Sequence, residues 1–374
     1  MRVLIAAGGT AGHINPALAI AQTIREHQPD AEIFFAGRKN GMESALVKKA
    51  GYPFYNIEVS GIQRKLTAKN IARNAVAVHH LLWALPRAKA IIKEIKPDLV
   101  IGAGGYVSGP VLQVAARSGI KTAIHEQNAF PGVTNKILAR HADVILAAMP
   151  DAVERLGAPA KTVVVGNPVR SEMFAQNRAA ARAALGLRDG QIFLLSFGGS
   201  LGAQRLNEVV AELAVWELAN RDFYHIHATG SIEKADFAAL AKEKGIDGDA
   251  RFSIREYIDD MPALLAASDL VIARAGALTL AEISAVGRAS VLVPSPNVAE
   301  NHQYHNAMQL QKLGAAVVIE EKNLTGDGLI QTVDSLTQSP AELLVMGTKA
   351  KALSQPDSLA KIWKELQKLM KPEK

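Results

Sequence analysis

The stretch Ala273-Arg274-Ala275-Gly276-Ala277-Leu278-Thr279-Leu280-Ala281-Glu282 decides the fold class of this sequence. An apolar run, Leu270–Ile272, precedes it and predicts a buried strand, and its second half predicts a helix through Val286. Gly276 stands where the strand must turn into the helix. A helix that begins there directs unpaired N–H groups and its positive dipole end forward, which suits a phosphate. Taken alone, the stretch is more typical of a plain strand–turn–helix joint with a solvated Glu282, since such joints recur throughout α/β proteins.

Runs of this kind alternate along the whole chain, and helix-like stretches lie between most of the strand-like ones. Such alternation predicts α/β architecture with parallel sheets that carry helices on both faces. The predicted strands are Val3–Ala7, Glu32–Ala36, Phe54–Val59, Leu99–Gly102, Thr122–His125, Val144–Ala147, Thr162–Val165, Ile192–Phe197, Tyr224–Ala228, Arg251–Ile254, Leu270–Ala273, Ser290–Val293 and Ala316–Ile319.

A weak repeat divides the chain. Val3–Ala7 leads into the glycine turn Gly8-Gly9-Thr10-Ala11-Gly12, and Ile192–Phe197 leads into Gly198-Gly199-Ser200-Leu201-Gly202. This repeat predicts two Rossmann-like domains, residues 1–165 and 166–355. Because ligands bind at the carboxyl ends of the strands in such sheets, we expect the two domains to face each other across a cleft. We expect a last helix, within 356–374, to pack back on the first domain.

Composition restricts the class of protein. Of 374 residues, 49% are apolar and 21% are charged, a globular balance. Cysteine is absent, which excludes disulfides and thiolate metal sites and favours a reducing cytoplasm. The first apolar run is too short for a signal peptide, and no run approaches the ~20 residues of a membrane span.

Positive charge is concentrated in the first half of the chain. Residues 1–165 hold 20 Lys and Arg against 11 Asp and Glu, whereas the remainder holds 22 against 25. The segment 64–93 contains seven basic residues, no acidic one, and an apolar stretch around Trp83. That pattern suits an anionic bilayer surface, with a core helix with basic ends as the alternative. Nucleic acid is not predicted, because aromatic residues are few and no binding motif is present.

Three predicted loops of the first domain carry polar candidates. His13, just past the first glycine turn, is a candidate base, although a packed or capping histidine gives the same pattern. The turn does not match G-x-G-x-x-G, which argues against a dinucleotide site. Tyr106, in the loop Gly104–Gly109, could contact a sugar. His125-Glu126-Gln127-Asn128 ends a strand and offers Glu126 as a second candidate base and Asn128 for a sugar.

The second half adds further candidates. Arg170 follows the boundary motif Gly166–Val169 and suits a diphosphate, because its planar fork binds two oxygens. Gln303 opens a helix and suits a sugar amide contact. His302 and His305 have no obvious third ligand, and Asp247-Gly248-Asp249 reads as a solvated turn, so we predict neither a metal site nor a cofactor.

Together these motifs resemble the MurG family of N-acetylglucosaminyltransferases. The matching segments are Gly8–His13, Gly104–Gly109, His125–Asn128, Gly166–Arg170, Gly198–Ala203, Glu256–Met261, Ala275–Glu282 and Gln303-Tyr304. The resemblance implies a B-type glycosyltransferase fold. It also implies that UDP-N-acetylglucosamine (UDP-GlcNAc) binds mainly to the second domain and that lipid I, undecaprenyl-pyrophosphoryl-MurNAc-pentapeptide, lies against the first. Three departures from the family pattern are Ala11, Leu201 and the run Pro296–Glu300.

The resemblance also implies roles for individual residues. Ile258 would meet uracil, Glu282 the ribose, and Gln303 and Asn128 the sugar. The remaining donor contacts would come from Thr10, Ala11, Gly12, Arg170, Ser200, Ala277, Leu278, Thr279, Leu280 and Ala281, and acceptor contacts from Gly104, Gly105 and Tyr106. His13, or alternatively Glu126, would take the proton of the acceptor hydroxyl in an inverting displacement.

The family places such enzymes peripherally on the cytoplasmic face of the inner membrane, in cell wall synthesis, cell shape and cell division. Three other functions stay open from the residues themselves: a UDP-GlcNAc 2-epimerase, a diacylglycerol glycosyltransferase and a nucleotide-sugar sensor. The basic–apolar segment 64–93 favours the membrane transferase over the epimerase and the sensor.

Overall fold

The computed structural model describes residues 1–59 and 68–370, apart from the side chains of 68–79, 81, 82 and 299. The chain divides into two compact units, the first made of Met1–Pro168 with Asp357–Lys374 and the second of Val169–Pro356. The second unit begins slightly after residue 166, where the sequence motif places the boundary.

The first unit is built on a seven-stranded sheet in the order β3-β2-β1-β4-β5-β6-β7, with every pair parallel. The reversal of strand order between β1 and β4 opens a crevice at the carboxyl ends of the strands, where α/β sheets bind ligands. The strands are β1 (Arg2–Ala6), β2 (Glu32–Gly37), β3 (Phe54–Asn56), β4 (Leu99–Gly102), β5 (Lys121–Glu126), β6 (Val144–Ala147) and β7 (Thr162–Val164).

Helices cover both faces of this sheet. Alternate residues of β1 point to opposite faces, so Val3 and Ile5 join one apolar core while Leu4 and Ala6 join the other. The last helix, α15 (Ser358–Met370), packs on α1 through Trp363, whose ring stacks on His27 at 4.8 Å between centroids. The other helices are α1 (Ala11–His27), α2 (Met42–Lys49), α3 (Ala68–Ile95), α4 (Ser108–Arg117), α5 (Val133–Ala139) and α6 (Ala152–Leu156).

The second unit repeats this plan with a six-stranded parallel sheet in the order β10-β9-β8-β11-β12-β13. Strand order reverses between β8 and β11. The strands are β8 (Phe193–Phe197), β9 (Tyr224–Ala228), β10 (Phe252–Arg255), β11 (Leu270–Ala273), β12 (Ala289–Leu292) and β13 (Ala316–Val318). The helices are α7 (Arg178–Ala184), α8 (Gln204–Asn220), α9 (Lys234–Glu243), α10 (Met261–Ala267), α11 (Ala277–Val286), α12 (His302–Lys312), α13 (Gly326–Thr337) and α14 (Pro340–Lys351).

The predicted α/β class and its parallel sheets are confirmed, and each predicted strand corresponds to an observed one. The largest difference is the strand predicted over Phe54–Val59, which ends at Asn56 because its partner β2 ends at Gly37. The last helix lies within the predicted range and begins at Ser358. Within the described ranges, no helix is long and apolar enough to cross a membrane.

Candidate active site

The first glycine turn connects β1 to α1. Gly9 has φ +95°, and α1 begins at Ala11, so Ala11 and Gly12 already belong to its first turn. Thr10 is the N-cap residue and is exposed. The backbone thus places His13 in the first turn of α1, directly after the sheet edge.

A buried carboxylate accepts a hydrogen bond from this turn. The Glu43 side chain, in the first turn of α2, has no exposed surface, and its Oε2 accepts from the Gly9 amide at 3.4 Å. Its Oε1 accepts from the Arg38 amide at 3.0 Å. A Cβ at Gly8 or Gly41 would lie 2.8 Å or 2.3 Å from this carboxylate, so glycine at both positions makes room for it. Nothing in the sequence around Glu43 indicates this contact.

The His13 ring lies against the loop that follows β4. A Cβ at Gly104 would approach His13 Nδ1 to 2.4 Å, and one at Gly105 would approach the Gly8 carbonyl oxygen to 2.3 Å. Both glycines also have positive φ, +102° and +80°. Glycine at these two positions therefore lets the loops after β1 and β4 touch, and it opens the path between His13 and β5.

That path leads to Gln127, a buried residue of the loop after β5. Its Oε1 lies 3.1 Å from His13 Nδ1, and its Nε2 donates to the Ala103 carbonyl oxygen at 2.8 Å. The same Nε2 lies 2.9 Å from Nδ1 of His125, whose Nε2 faces the Gly166 carbonyl oxygen at 3.4 Å. Burial lowers the pKa of His125 to about 4, with a smaller lowering from the charge of His13. His125 is therefore neutral at physiological pH.

Glu126 is buried with its carboxylate fully engaged. Oε1 accepts from the Asn128 amide at 2.9 Å and from Asn128 Nδ2 at 3.1 Å. Oε2 accepts from the Gly132 amide at 3.1 Å and from Asn135 Nδ2 at 2.9 Å. Four donors shape the loop from Glu126 to Asn135 around this side chain. A carboxylate held in this way fits a positioning role for Asn128 better than proton abstraction.

The loop Gly104–Val107 leads into α4. The Ser108 Oγ lies 3.0 Å from both the Ala6 and the Gly104 carbonyl oxygens, which share its single proton, and this contact fixes the loop to β1. Tyr106 is 56% exposed, whereas Gly104 is buried. Tyr106 therefore projects from the carboxyl edge of the sheet, where a large ligand could reach it.

In the second unit, the turn after β8 is held by hydrogen bonds to backbone oxygens. The Ser200 carbonyl oxygen accepts from the amide of Ser231 at 3.1 Å and from its hydroxyl at 3.2 Å. Gly202 has φ +95°, and a Cβ there would meet the Thr229 carbonyl oxygen at 2.3 Å. The turn therefore lies directly beside the loop that follows β9.

The stretch that decides the fold forms the predicted joint, with Gly276 as N-cap and α11 beginning at Ala277. Glu282 lies in the second turn of α11. Desolvation raises the pKa of Glu282 to about 7, and the nearby charge of Arg170 opposes that rise. Desolvation also raises the pKa of Tyr257. The charge of Glu282 adds to that rise, and the charge of Arg170 opposes it. Arg170, Tyr257 and Glu282 therefore share one electrostatic environment.

Two further donor-site candidates lie on neighbouring loops. Ile258, after β10, is 4% exposed and belongs to the apolar core of the second unit. Gln303, in the first turn of α12, accepts from the Ser295 amide at 2.9 Å through Oε1. That bond orients the side chain and leaves its Nε2 as the donor for a ligand.

Among the side chains that the structure describes, no group of three or more His, Asp or Glu residues could hold a metal ion. Asp249 is instead paired with Arg251 at 2.9 Å, and this contact lowers the pKa of Asp249.

The basic–apolar segment lies partly outside the described residues: Arg64 and Lys65 are not described, nor are the side chains of Lys69 and Arg73. Of its described part, Trp83 is 65% exposed.

Comparison with known proteins agrees with this architecture. The N-terminal domain of glycosyltransferase family 28 matches residues 3–147, and the C-terminal domain of that family matches residues 193–362. A relative from Acetivibrio thermocellus, named UDP-N-acetylglucosamine–N-acetylmuramyl-(pentapeptide) pyrophosphoryl-undecaprenol N-acetylglucosamine transferase, is 43% identical and covers 99% of both chains.

Solved structures give the same result. The crystal structure of Acinetobacter baumannii MurG superposes with a TM-score of 0.74 at 30% identity, covering 98% of this chain and 99% of that one. A Listeria monocytogenes protein described as a UDP-N-acetylglucosamine 2-epimerase has a TM-score of 0.71 at 15% identity, covering 100% and 97%, and so shares the fold alone. The predicted B-type fold is confirmed, and this chain belongs to the MurG family, within glycosyltransferase family 28.

Proposed function

We propose that this protein transfers N-acetylglucosamine from UDP-GlcNAc to the C4 hydroxyl of the MurNAc of lipid I, which yields lipid II for peptidoglycan synthesis. The observation that carries the proposal is the 43% identity, over 99% of both chains, to a transferase named for this reaction. The epimerase alternative is supported by fold alone, at 15% identity.

In this proposal the second unit binds the donor. The N-terminus of α11, Ala277 to Ala281, faces the nucleotide and its diphosphate, because the positive end of the helix dipole suits negative charge. Glu282 accepts from the ribose hydroxyls, the backbone of Ile258 meets uracil, and Gln303 donates to the sugar. Arg170 and Ser200 contact the phosphates, which stabilises the charge that develops on departing UDP.

The first unit supplies the base and binds the acceptor. His13 takes the proton from the C4 hydroxyl, whose oxygen attacks the anomeric carbon as the bond to UDP breaks. One direct displacement inverts the α linkage to β, through an oxocarbenium-like transition state. Thr10, Ala11, Gly12 and Asn128 complete the donor contacts, and Gly104, Gly105 and Tyr106 contact the acceptor. We choose His13 over Glu126 because four donors occupy the Glu126 carboxylate.

UDP release separates this function from its alternatives. Purified protein is incubated with UDP-GlcNAc in detergent, with and without a lipid I analogue. We expect release only with the analogue, together with a β-1,4-linked disaccharide product. Release of UDP with donor alone, and N-acetylmannosamine as product, would identify a UDP-GlcNAc 2-epimerase. Transfer to diacylglycerol but not to the lipid I analogue would identify a diacylglycerol glycosyltransferase. Donor binding without turnover on any acceptor would identify a sensor.

The proposal also places the protein peripherally at the cytoplasmic face of the inner membrane, where its product serves cell wall synthesis and thus cell shape and division. On α3, Ala84 and Ala88 are buried, whereas Trp83 and the basic residues Arg87, Lys89 and Lys93 are exposed. An apolar ring among cations suits an anionic bilayer.

Vesicle sedimentation tests this membrane contact. Trp83→Ala should weaken binding to vesicles with anionic lipid severalfold and leave UDP affinity unchanged. Leu344→Ala is the matched control, since Leu344 is 70% exposed on α14 in the other unit. Equal binding by both variants would contradict the role of Trp83.

A further inference from the structure

Gln127 is a buried amide that the assigned roles leave unused, although it contacts the imidazole of His13. It is 1% exposed and has hydrogen-bonding contacts on both sides of its amide group. A carbonyl oxygen accepts hydrogen bonds and cannot donate them. The side-chain atom 2.8 Å from the Ala103 carbonyl oxygen must therefore be Nε2, and the atom facing His13 must be Oε1.

This orientation determines the tautomer of His13. Oε1 of an amide only accepts, so His13 Nδ1, at 3.1 Å, must carry the proton and donate it. In neutral imidazole the other nitrogen, Nε2, then holds the lone pair. That is the protonation state required of a general base acting through Nε2.

His125 strengthens the same orientation from the far side. Its Nε2 faces the Gly166 carbonyl oxygen at 3.4 Å and must donate, so its Nδ1 accepts from Gln127 Nε2 at 2.9 Å. The low pKa of His125, about 4, keeps the ring neutral, and the Gly166 carbonyl oxygen at Nε2 sets its tautomer. The hydrogen bonds therefore all point the same way. His13 donates to Gln127, and Gln127 donates to the Ala103 carbonyl oxygen and to His125. His125 in turn donates to the Gly166 carbonyl oxygen.

We propose that Gln127 is a positioning residue that holds His13 in the Nδ1–H tautomer, with its direction set by the carbonyl oxygens of Ala103 and Gly166. The inference rests on the proposed role of His13 as the base. A neutral amide sets the tautomer without adding a negative charge beside the imidazole, in contrast to the carboxylate partner of a Ser-His-Asp triad.

The tautomer can be measured without turnover. Proton–nitrogen correlation spectra of ¹⁵N-histidine-labelled protein distinguish Nδ1–H from Nε2–H, and His13→Ala identifies the His13 signals by their loss. We expect Nδ1–H in the wild type and in Gln113→Met, a control on α4 outside this network. We expect Gln127→Met, which has similar volume but neither donor nor acceptor, to show Nε2–H or a mixture. Nδ1–H alone in Gln127→Met, or Nε2–H in the wild type, would overturn the proposal.

Kinetics gives a second readout. Gln127→Met should lower kcat by about 10-fold to 100-fold, within the contribution of general base catalysis, and leave the dissociation constant of UDP unchanged. Gln113→Met should retain wild-type kcat. If His13→Ala abolishes turnover while Gln127→Met keeps both tautomer and kcat, the base role stands and the positioning role fails. If His13→Ala retains turnover, the proposed base itself is wrong.

Discussion

The two glycine turns follow the first strand of each sheet and share a glycine pattern, yet they are built for different tasks. Gly9 and Gly199 both have φ +95° and open space around them, so the repeat is real at those positions. The turns diverge at the last glycine. Gly12 already lies in α1, whereas Gly202 precedes α8, has φ +95°, and packs against the Thr229 carbonyl oxygen.

Charge separates the turns further. In the first turn the Gly9 amide donates to the carboxylate of Glu43. This negative charge disfavours the binding of a second anion at the turn. At the second turn, Glu233 approaches Gly202 through Cβ and Cγ, and backbone oxygens provide the hydrogen bonds. The same short motif therefore carries the proposed base in one domain and the proposed diphosphate contact in the other.

The largest expected effect separates catalysis from donor binding. His13→Ala should lower kcat by about 10²–10⁴-fold, because it removes the base, and should leave UDP affinity unchanged. Ser200→Ala, in the second turn, should do the reverse and mainly weaken UDP binding. Steady-state kinetics and calorimetric titration with UDP measure both. Parallel losses of kcat and UDP affinity in His13→Ala would erase the distinction between the turns.

Folding stability compares the two last glycines. Gly202→Ala forces a side chain into positive φ and to 2.3 Å from the Thr229 carbonyl oxygen, so we expect a loss of about 3 kcal/mol or more. Gly12→Ala has only Thr10 Oγ1 nearby, at 3.6 Å, and lies in a helix, so we expect a gain of up to about 1 kcal/mol. Thermal unfolding followed by calorimetry measures both. Equal destabilisation by the two would mean that the turns are equivalent.

The carboxylate beneath the first turn is tested by Glu43→Gln. The variant loses charge-assisted bonds to Gly9 and Arg38, and we expect about 1.5–3 kcal/mol lower stability. A severalfold lower kcat should follow, because His13 is positioned by this turn. Glu233→Gln is the matched control and should change stability by less than about 0.5 kcal/mol. Similar stability losses in both variants would show that Glu43 has no special role.

The smallest effect concerns pH at the donor site. The pKa of Glu282 is raised to about 7. In the proposed donor site, ribose hydroxyls donate to the ionised form of Glu282, so donor binding should release a proton. The affinity for UDP should then fall by up to about 10-fold per unit as pH decreases below 7, and level off above it. Calorimetric titration from pH 5.5 to 8.5 measures this slope. Glu282→Gln should bind weakly with a flat profile, and a sloping profile in that variant would assign the proton elsewhere.

Local patterns predicted much of this molecule. The strand–glycine–helix joints at Gly8 and Gly276 were recognised because apolar periodicity and glycine position are properties of neighbouring residues. Glu43 and Gln127 were not identified as contacts of the first turn and His13. Glu43 reads locally as a charged residue in a short amphipathic helix, and Gln127 as one polar residue in a loop. Neither shows its partner in the sequence around it.

The sequence by itself determined the α/β class, the alternation that makes both sheets parallel, and the family, because these depend on residue order along the chain. Only the tertiary structure decided that the first turn holds a carboxylate and that Gln127 orients His13. The order β1-β4-β5 brings His13, Gly104 and Gln127 together, although His13 and Gln127 are 114 positions apart. The direction of a hydrogen bond depends on which atoms face each other, and the fold alone determines that.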